Sequence, residues 1–178
     1  MAAVLGALAG GIGTILAGIA TGWATREQAR ITARAEHRRL RHSPREEAYK
    51  AFISAAGALR DHALPMFFGL EEMYGRPTLD EEFLREAQSH MRGVLAAWLT
   101  VNLAGPRSVQ EAASDVYDCS MKLTSQGAAI WVHCKDDALR NQVDRLEFEA
   151  HHMVVQLNDL INTFTEHAQQ VLDDDGTV

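Results

Sequence analysis

The chain is short of the residues that build disulfide frameworks, fibres and strands. Two cysteines in 178 residues cannot form a disulfide scaffold. Four prolines and thirteen glycines exclude collagen-like and proline-rich architectures. No run reads as a β-strand by alternation of apolar and polar residues. Signatures of catalysis are missing as well: there is no phosphate-binding glycine loop, no nucleophile elbow and no paired-carboxylate cleft. With 47% hydrophobic and 23% charged residues, the composition is that of a folded chain rather than a disordered one.

Charge is missing from one place in particular. From Ala2 to Ala24 there are 23 consecutive residues without a charged side chain, about 35 Å at helical rise against a hydrocarbon core of about 30 Å. Residues 1–25 therefore read as a transmembrane helix. A cleaved signal peptide is the competing reading, with Gly18-Ile19-Ala20 as a small-residue cleavage site, but no lysine or arginine precedes the apolar run as such a peptide requires. A soluble helix would have to be buried on every side. Small residues recur at every fourth position, at Ala2, Gly6, Gly10, Thr14, Gly18 and Gly22. Such a ridge lets two helix backbones approach closely and predicts self-association in the membrane. It is also the pattern from which an oligomeric pore or leak could be built, although glycine and alanine are common in membrane helices of every kind.

Residues 26–43 form an arginine-rich neck. Seven arginines between Arg26 and Arg45 face only Glu27 and Glu36, and positive flanks stay in the cytoplasm. The expected topology is a single-pass plasma-membrane protein, N-terminus outside and body inside. Arg26, Arg30, Arg34 and Arg38 are spaced by four, which keeps them on one helical stripe. Each cation near an anionic leaflet contributes about 1 kcal/mol, fading within a Debye length of about 8 Å. Arg26, Arg30 and Arg34 are thus the expected lipid contacts, while a solvated helix that only sets topology is the plainer alternative. The neck has no aromatic residue to stack bases, so nucleic acid is not an expected partner. From Glu46 onward, ten Lys and Arg face twenty-two Asp and Glu, an acidic body behind a basic neck.

Residues 44–172 carry four helical patterns. Ser43-Pro44-Arg45-Glu46 has the form of a helix start, followed by a stripe at Tyr49, Phe52, Ala56, Leu59, Ala63 and Met66 that Pro65 should kink or end. Thr78-Leu79-Asp80-Glu81 repeats the capping pattern, ahead of Phe83, Ala87, Met91, Val94, Trp98 and Val101, and Gly105-Pro106 stops that helix. A third stripe runs through Val109, Ala113, Val116, Ser120, Leu123, Gly127, Ile130 and Cys134, where Ser120 and Gly127 would admit a close neighbour. Asp136 or Asp137 should cap a fourth, with Leu139, Val143, Leu146, Ala150, Met153, Leu157, Leu160 and Phe164 inward. Short connections favour antiparallel neighbours. The expected fold is all-α: a transmembrane helix continuing into a basic helical neck, then an antiparallel four-helix bundle, with 173–178 as a frayed acidic tail.

A di-iron bundle site needs two Glu-x-x-His motifs and two further glutamates, and only Glu149 to His152 matches. No metal and no cofactor is expected. His62, His90, His133, His151 and His167 are scattered along the body, with His90 and His167 close to inward positions. Cys119 and Cys134 lie fifteen residues apart on one helix, about 22 Å, too far for a disulfide, and read as small core or boundary residues. Trp98, Trp131 and Phe148 could line a pocket, but aromatics at helical spacing are usually core.

The Gly/Ala-rich span, the arginine neck, Arg45-x-x-x-Tyr49-x-x-Phe52 and the segment Val101-x-Leu103-x-Gly105-Pro106-x-x-Val109-x-x-Ala112-Ala113 together resemble a group of uncharacterised single-pass membrane proteins of actinobacteria. The resemblance spans most of the chain and its motifs are structural, so it implies an architecture and no catalytic residues. The expected function is a non-catalytic, membrane-anchored interaction or scaffold module. Its expected partners are the lipid bilayer, its own copies and a cytoplasmic protein.

Overall fold

The computed structural model describes residues 28, 30, 32, 43–65, 79–136 and 139–177. They fall in two compact units, Met1–Arg41 and His42–Val178. In the first, Gln28, Arg30 and Thr32 are helical and exposed, and the Thr32 hydroxyl donates to the Gln28 carbonyl at 2.8 Å. The proposed ridge Gly6, Gly10, Thr14, Gly18 and Gly22, together with Arg26 and Arg34, lies outside the described residues.

The second unit is all-α. Helix α1 covers 43–65, α2 Glu81–Ala104, α3 Arg107–Lys135 and α4 Val143–Thr177, preceded by a 3₁₀ turn at Arg140–Gln142. No strand occurs among the described residues. Arg45 near the start of α1 bonds Ala104 at the end of α2 (2.9 Å), while His62 near the end of α1 meets Phe83 at the start of α2 (3.1 Å). Trp98 meets Ser114 and Gln126 meets Leu146, so each successive pair runs antiparallel. Contacts of Phe52 with Phe164 and of Arg60 with Asn158 bring α4 antiparallel to α1 and close the four-helix ring. Helix α2 therefore packs on α1 and α3, and α4 does the same from the diagonal position.

The periodicity that makes these helices amphipathic also fills the core. Tyr49, Phe52, Ala56, Leu59 and Ala63 of α1 are buried as their three-four spacing predicts. The largest buried side chains are aromatic: Phe164 lies fully inside with Phe52 at 4.8 Å and Tyr49 at 5.9 Å between ring centroids, both edge-on. Ala87, Val94 and Val101 form the deep line of α2, and Phe83, Met91 and Trp98 are half-buried beside it. In α3 every expected inward position is buried except Cys134, which is exposed at the last turn. Ser120 tolerates full burial because its hydroxyl donates to the Val116 carbonyl at 2.8 Å.

Several local expectations shift. Ser43 is already helical and is not a cap. The α2 cap is Asp80 rather than Thr78: Asp80 is extended, and its carboxylate accepts from the Phe83 N–H at 2.8 Å. An anionic acceptor at that point also complements the positive end of the helix dipole. Asp136 ends α3 instead of starting α4, its N–H donating to the His133 carbonyl, and the alternative cap, Asp137, lies outside the described residues. The fourth helix is the largest departure. Its buried residues are Ala150, Val154, Leu157, Ile161, Phe164 and Ala168, whereas Leu146, Met153 and Leu160 are only half-buried. Because α4 packs on both α1 and α3, its buried face is turned away from the narrow seam that a strict heptad selects. The helix continues to Thr177, so the acidic end is helical rather than frayed. At Gly127, an added Cβ would meet only Leu84 Cδ2 at 4.0 Å, so close packing there does not require glycine.

The α2–α3 corner is the tightest connection. Gly105 donates its N–H to the Val101 carbonyl at 2.8 Å. Gln110 reaches back to donate to the Asn102 and Gly105 carbonyls, each at 2.9 Å. Arg45 takes the Ala104 carbonyl. Two of the carbonyls left over at the end of α2, those of Asn102 and Ala104, are thus satisfied from two neighbouring helices, which stands in for the basic residue its last turn lacks.

Candidate functional site

Among the described residues, no three His, Cys, Asp or Glu side chains converge closely enough to hold a metal ion. The Glu149-x-x-His152 pair illustrates why. Glu149 accepts from Arg145 at 2.9 Å and from Gln126 at 3.1 Å, and these bonds, Arg145 first, hold its carboxyl below the usual range. His152 is exposed and meets the Phe148 ring edge-on at 4.6 Å. The three aromatics considered for a pocket have separate partners: Trp98 stacks on Tyr117 at 4.8 Å, Trp131 lies beneath the Lys135 ammonium at 3.6 Å, and Phe148 is exposed.

The structure does bring together residues that look scattered in the sequence. His62 of α1 stacks on Phe83 of α2 at 4.2 Å and lies 5.2 Å from the His90 ring. Its Nε2 stands 3.1 Å from the Phe83 carbonyl. That oxygen can only accept, so Nε2 carries the proton. Nδ1 faces the Glu86 carboxylate at 3.7 Å. The cluster can therefore clasp α1 to α2. No pattern in the sequence marks it, because it depends on how two antiparallel helices register. His167, placed near the inward face by spacing, is exposed.

Two surface features remain. A groove of about 380 Å³ between α1 and α4 is lined by Arg60, Asp61, Leu64, Val154, Val155 and Asn158. Arg60 closes its polar side, donating to Asn158 at 2.8 Å and to Asp61 through Nε and Nη2. Its guanidinium is thus committed to groups of the fold. The other feature is the outward face of α2, where Leu95, Leu99 and Leu103 are 37%, 51% and 90% exposed.

Of the arginines assigned to lipid contact, Arg30 is helical and exposed. Among the described residues, no helix is long and apolar enough to cross a membrane. Neither cysteine forms a disulfide. Burial pushes the Cys119 thiol above its usual range, and its sulfur lies 3.5 Å from the Met153 carbonyl. No protein-family model matches the chain, and neither a curated protein nor a solved structure was found to be similar to it.

Proposed function

We propose that the protein is a membrane-anchored helical-bundle interaction module, non-catalytic and self-associating. In this reading residues 1–25 span the plasma membrane with the N-terminus outside, and Arg26, Arg30 and Arg34 meet anionic headgroups on the cytoplasmic side. The bundle is held in the cytoplasm for a protein partner. The observation that carries the reading is the uncharged run from Ala2 to Ala24 followed at once by the arginine cluster, the combination that retains a helix in lipid and fixes its direction. A bundle that encloses its own core, with surface left over for contacts, is compatible with it, as is the resemblance to single-pass actinobacterial proteins.

Carbonate washing of membranes tests the anchor: the chain should stay in the pellet. A phosphatase fused after residue 45 should be inactive, and an active fusion would reverse the topology. Self-association through Gly6, Gly10, Thr14, Gly18 and Gly22 predicts that Gly10→Ile with Gly18→Ile abolishes detergent-resistant oligomers. The sixfold recurrence of small residues at four-residue spacing also supports a second reading, an oligomeric pore or leak. Rapid depolarisation on expression, abolished by the same substitutions, would favour that reading over the module.

A further inference from the structure

We propose that the second half of α2 is a lipid-contacting face, resting through Leu95, Leu99 and Leu103 on the anionic surface to which the N-terminal segment tethers the chain. The inference rests on the membrane-anchored reading above. Leu95, Leu99 and Leu103 follow one another at intervals of four, and their exposure rises along the helix from 37% to 90%. This gives a continuous apolar stripe on a helix whose opposite face is already committed to the core. Ala96 and Thr100, also exposed, leave the rest of that face uncharged.

Charge selects the occupant. The body carries more than twice as many acidic as basic residues, yet residues 87–110 contain no Asp or Glu, and Arg92 and Arg107 bracket the leucines. Arg107 also pairs with Glu111 at 2.8 Å, both groups being exposed. An apolar stripe flanked by arginines is the composition that settles helices into an anionic interface. Area argues in the same direction: the three leucines expose roughly 300 Å², short of the about 800 Å² per partner that a stable protein interface buries. A tethered chain needs no such area, because tethering itself supplies a high local concentration.

Position is the third argument. Leu103 is one residue from Ala104, which Arg45 binds at the start of α1. The most exposed leucine is therefore at the end of the bundle where α1 begins. Exposed Asp173 and Asp174 belong to α4, diagonally across the ring from α2. Along its length α4 carries eight Asp and Glu against one Arg, whereas residues 87–104 of α2 carry Arg92 and no acid, so an anionic surface favours that part of α2 over α4.

The test uses the full-length chain in vesicles. A fluorophore on Leu103→Cys, in a Cys134→Ser background that leaves only buried Cys119, is read against the same fluorophore on Asn162→Cys, an exposed position of α4. In phosphatidylglycerol-rich vesicles carrying lipid spin-labelled near the headgroup, about two-fold quenching is expected at position 103 and none at 162. The effect should weaken in phosphatidylcholine vesicles. Equal quenching in both vesicle types overturns the anionic assignment. No quenching at 103 in a chain that floats with the vesicles overturns the inference while leaving the anchor intact. A blue shift without quenching does so too, and assigns the face to a second copy. A chain that fails to float overturns both readings.

Discussion

Replacing Gly105 with alanine sets two effects of known sign against each other. The backbone at Gly105 has φ −88° and ψ 157°, open to any residue, so alanine meets no conformational strain there. It reduces the freedom of the unfolded chain, worth about 0.4–1 kcal/mol in favour of folding. Space is the opposing factor. The new Cβ would stand 3.1 Å from the Val101 carbonyl oxygen, 3.2 Å from the Tyr49 hydroxyl and 3.5 Å from Val109 Cγ1. The carbonyl is fixed in a helix and accepts the Gly105 N–H itself. Tyr49 is 2% exposed and set edge-on against Phe164, so its hydroxyl retreats only if the aromatic cluster moves. Overpacking of this kind costs about 1–3 kcal/mol, and the net expectation is a loss of about 1 kcal/mol. Gly57 and Gly93 supply the internal comparison. An added Cβ at either meets nothing within 4 Å, so Gly57→Ala and Gly93→Ala should each stabilise by about 0.5–1 kcal/mol. Urea unfolding of the full-length protein in mild detergent, followed by helical circular dichroism, measures all three. A Gly105→Ala variant as stable as Gly57→Ala would refute the packing assigned to the α2–α3 corner.

Three further outcomes follow from the core and the titratable groups. Phe164→Ala removes the ring that Tyr49 and Phe52 both contact and should cost about 3–5 kcal/mol in the same unfolding assay; a loss under about 1 kcal/mol would mean that α1 and α4 do not pack as described. Glu149 has a lowered folded pKa, caused first by its bond to Arg145, so its contribution is present above the unfolded value and is lost as pH falls through the lower folded value. Glu149→Gln should therefore lower the melting temperature slightly at neutral pH and leave it unchanged at low pH, which flattens the acid limb of the profile. Native protein should react with a maleimide at Cys134 alone, and with two equivalents once denatured, because Cys119 is buried with its thiol pushed up; mass spectrometry of the adducts reads the count.

Much of the bundle was legible because three of its helices keep a simple rhythm. Tyr49 to Ala63 and Val109 to Ile130 step by three and four without interruption, and nearly every residue on those lines is buried. The same reading misplaced the face of α4. A seven-residue repeat there can be drawn through Met153 and Leu160 or through Val154 and Ile161, and only docking between two neighbours selects the second pair. Caps were less legible than stripes: Thr78 and Asp80 are both competent acceptors, and the choice is made by where the chain turns to begin α2. The His62, Phe83, Glu86 and His90 cluster was not legible, since it joins residues on either side of the α1–α2 connection that register only after the helices pair. The leucines of α2 were within reach of the sequence, because Gly93 to Pro106 contains no charge. The inward stripe through Val94 and Val101 is the stronger signal of the two.

An even number of antiparallel passes gives the bundle two dissimilar poles. At one, the chain comes into α1 and the sole crossover is the two-residue Gly105-Pro106 hinge, locked by Gln110 and Arg45. At the other, the chain makes both of its longer returns, from α1 to α2 and from α3 to α4. Longer connections take insertions more readily than a two-residue hinge, so new sequence, whether from evolution or the laboratory, is better placed at that second pole. An epitope or reporter spliced there should leave the helices in register, whereas one spliced between Gly105 and Pro106 would have to break the clasp first.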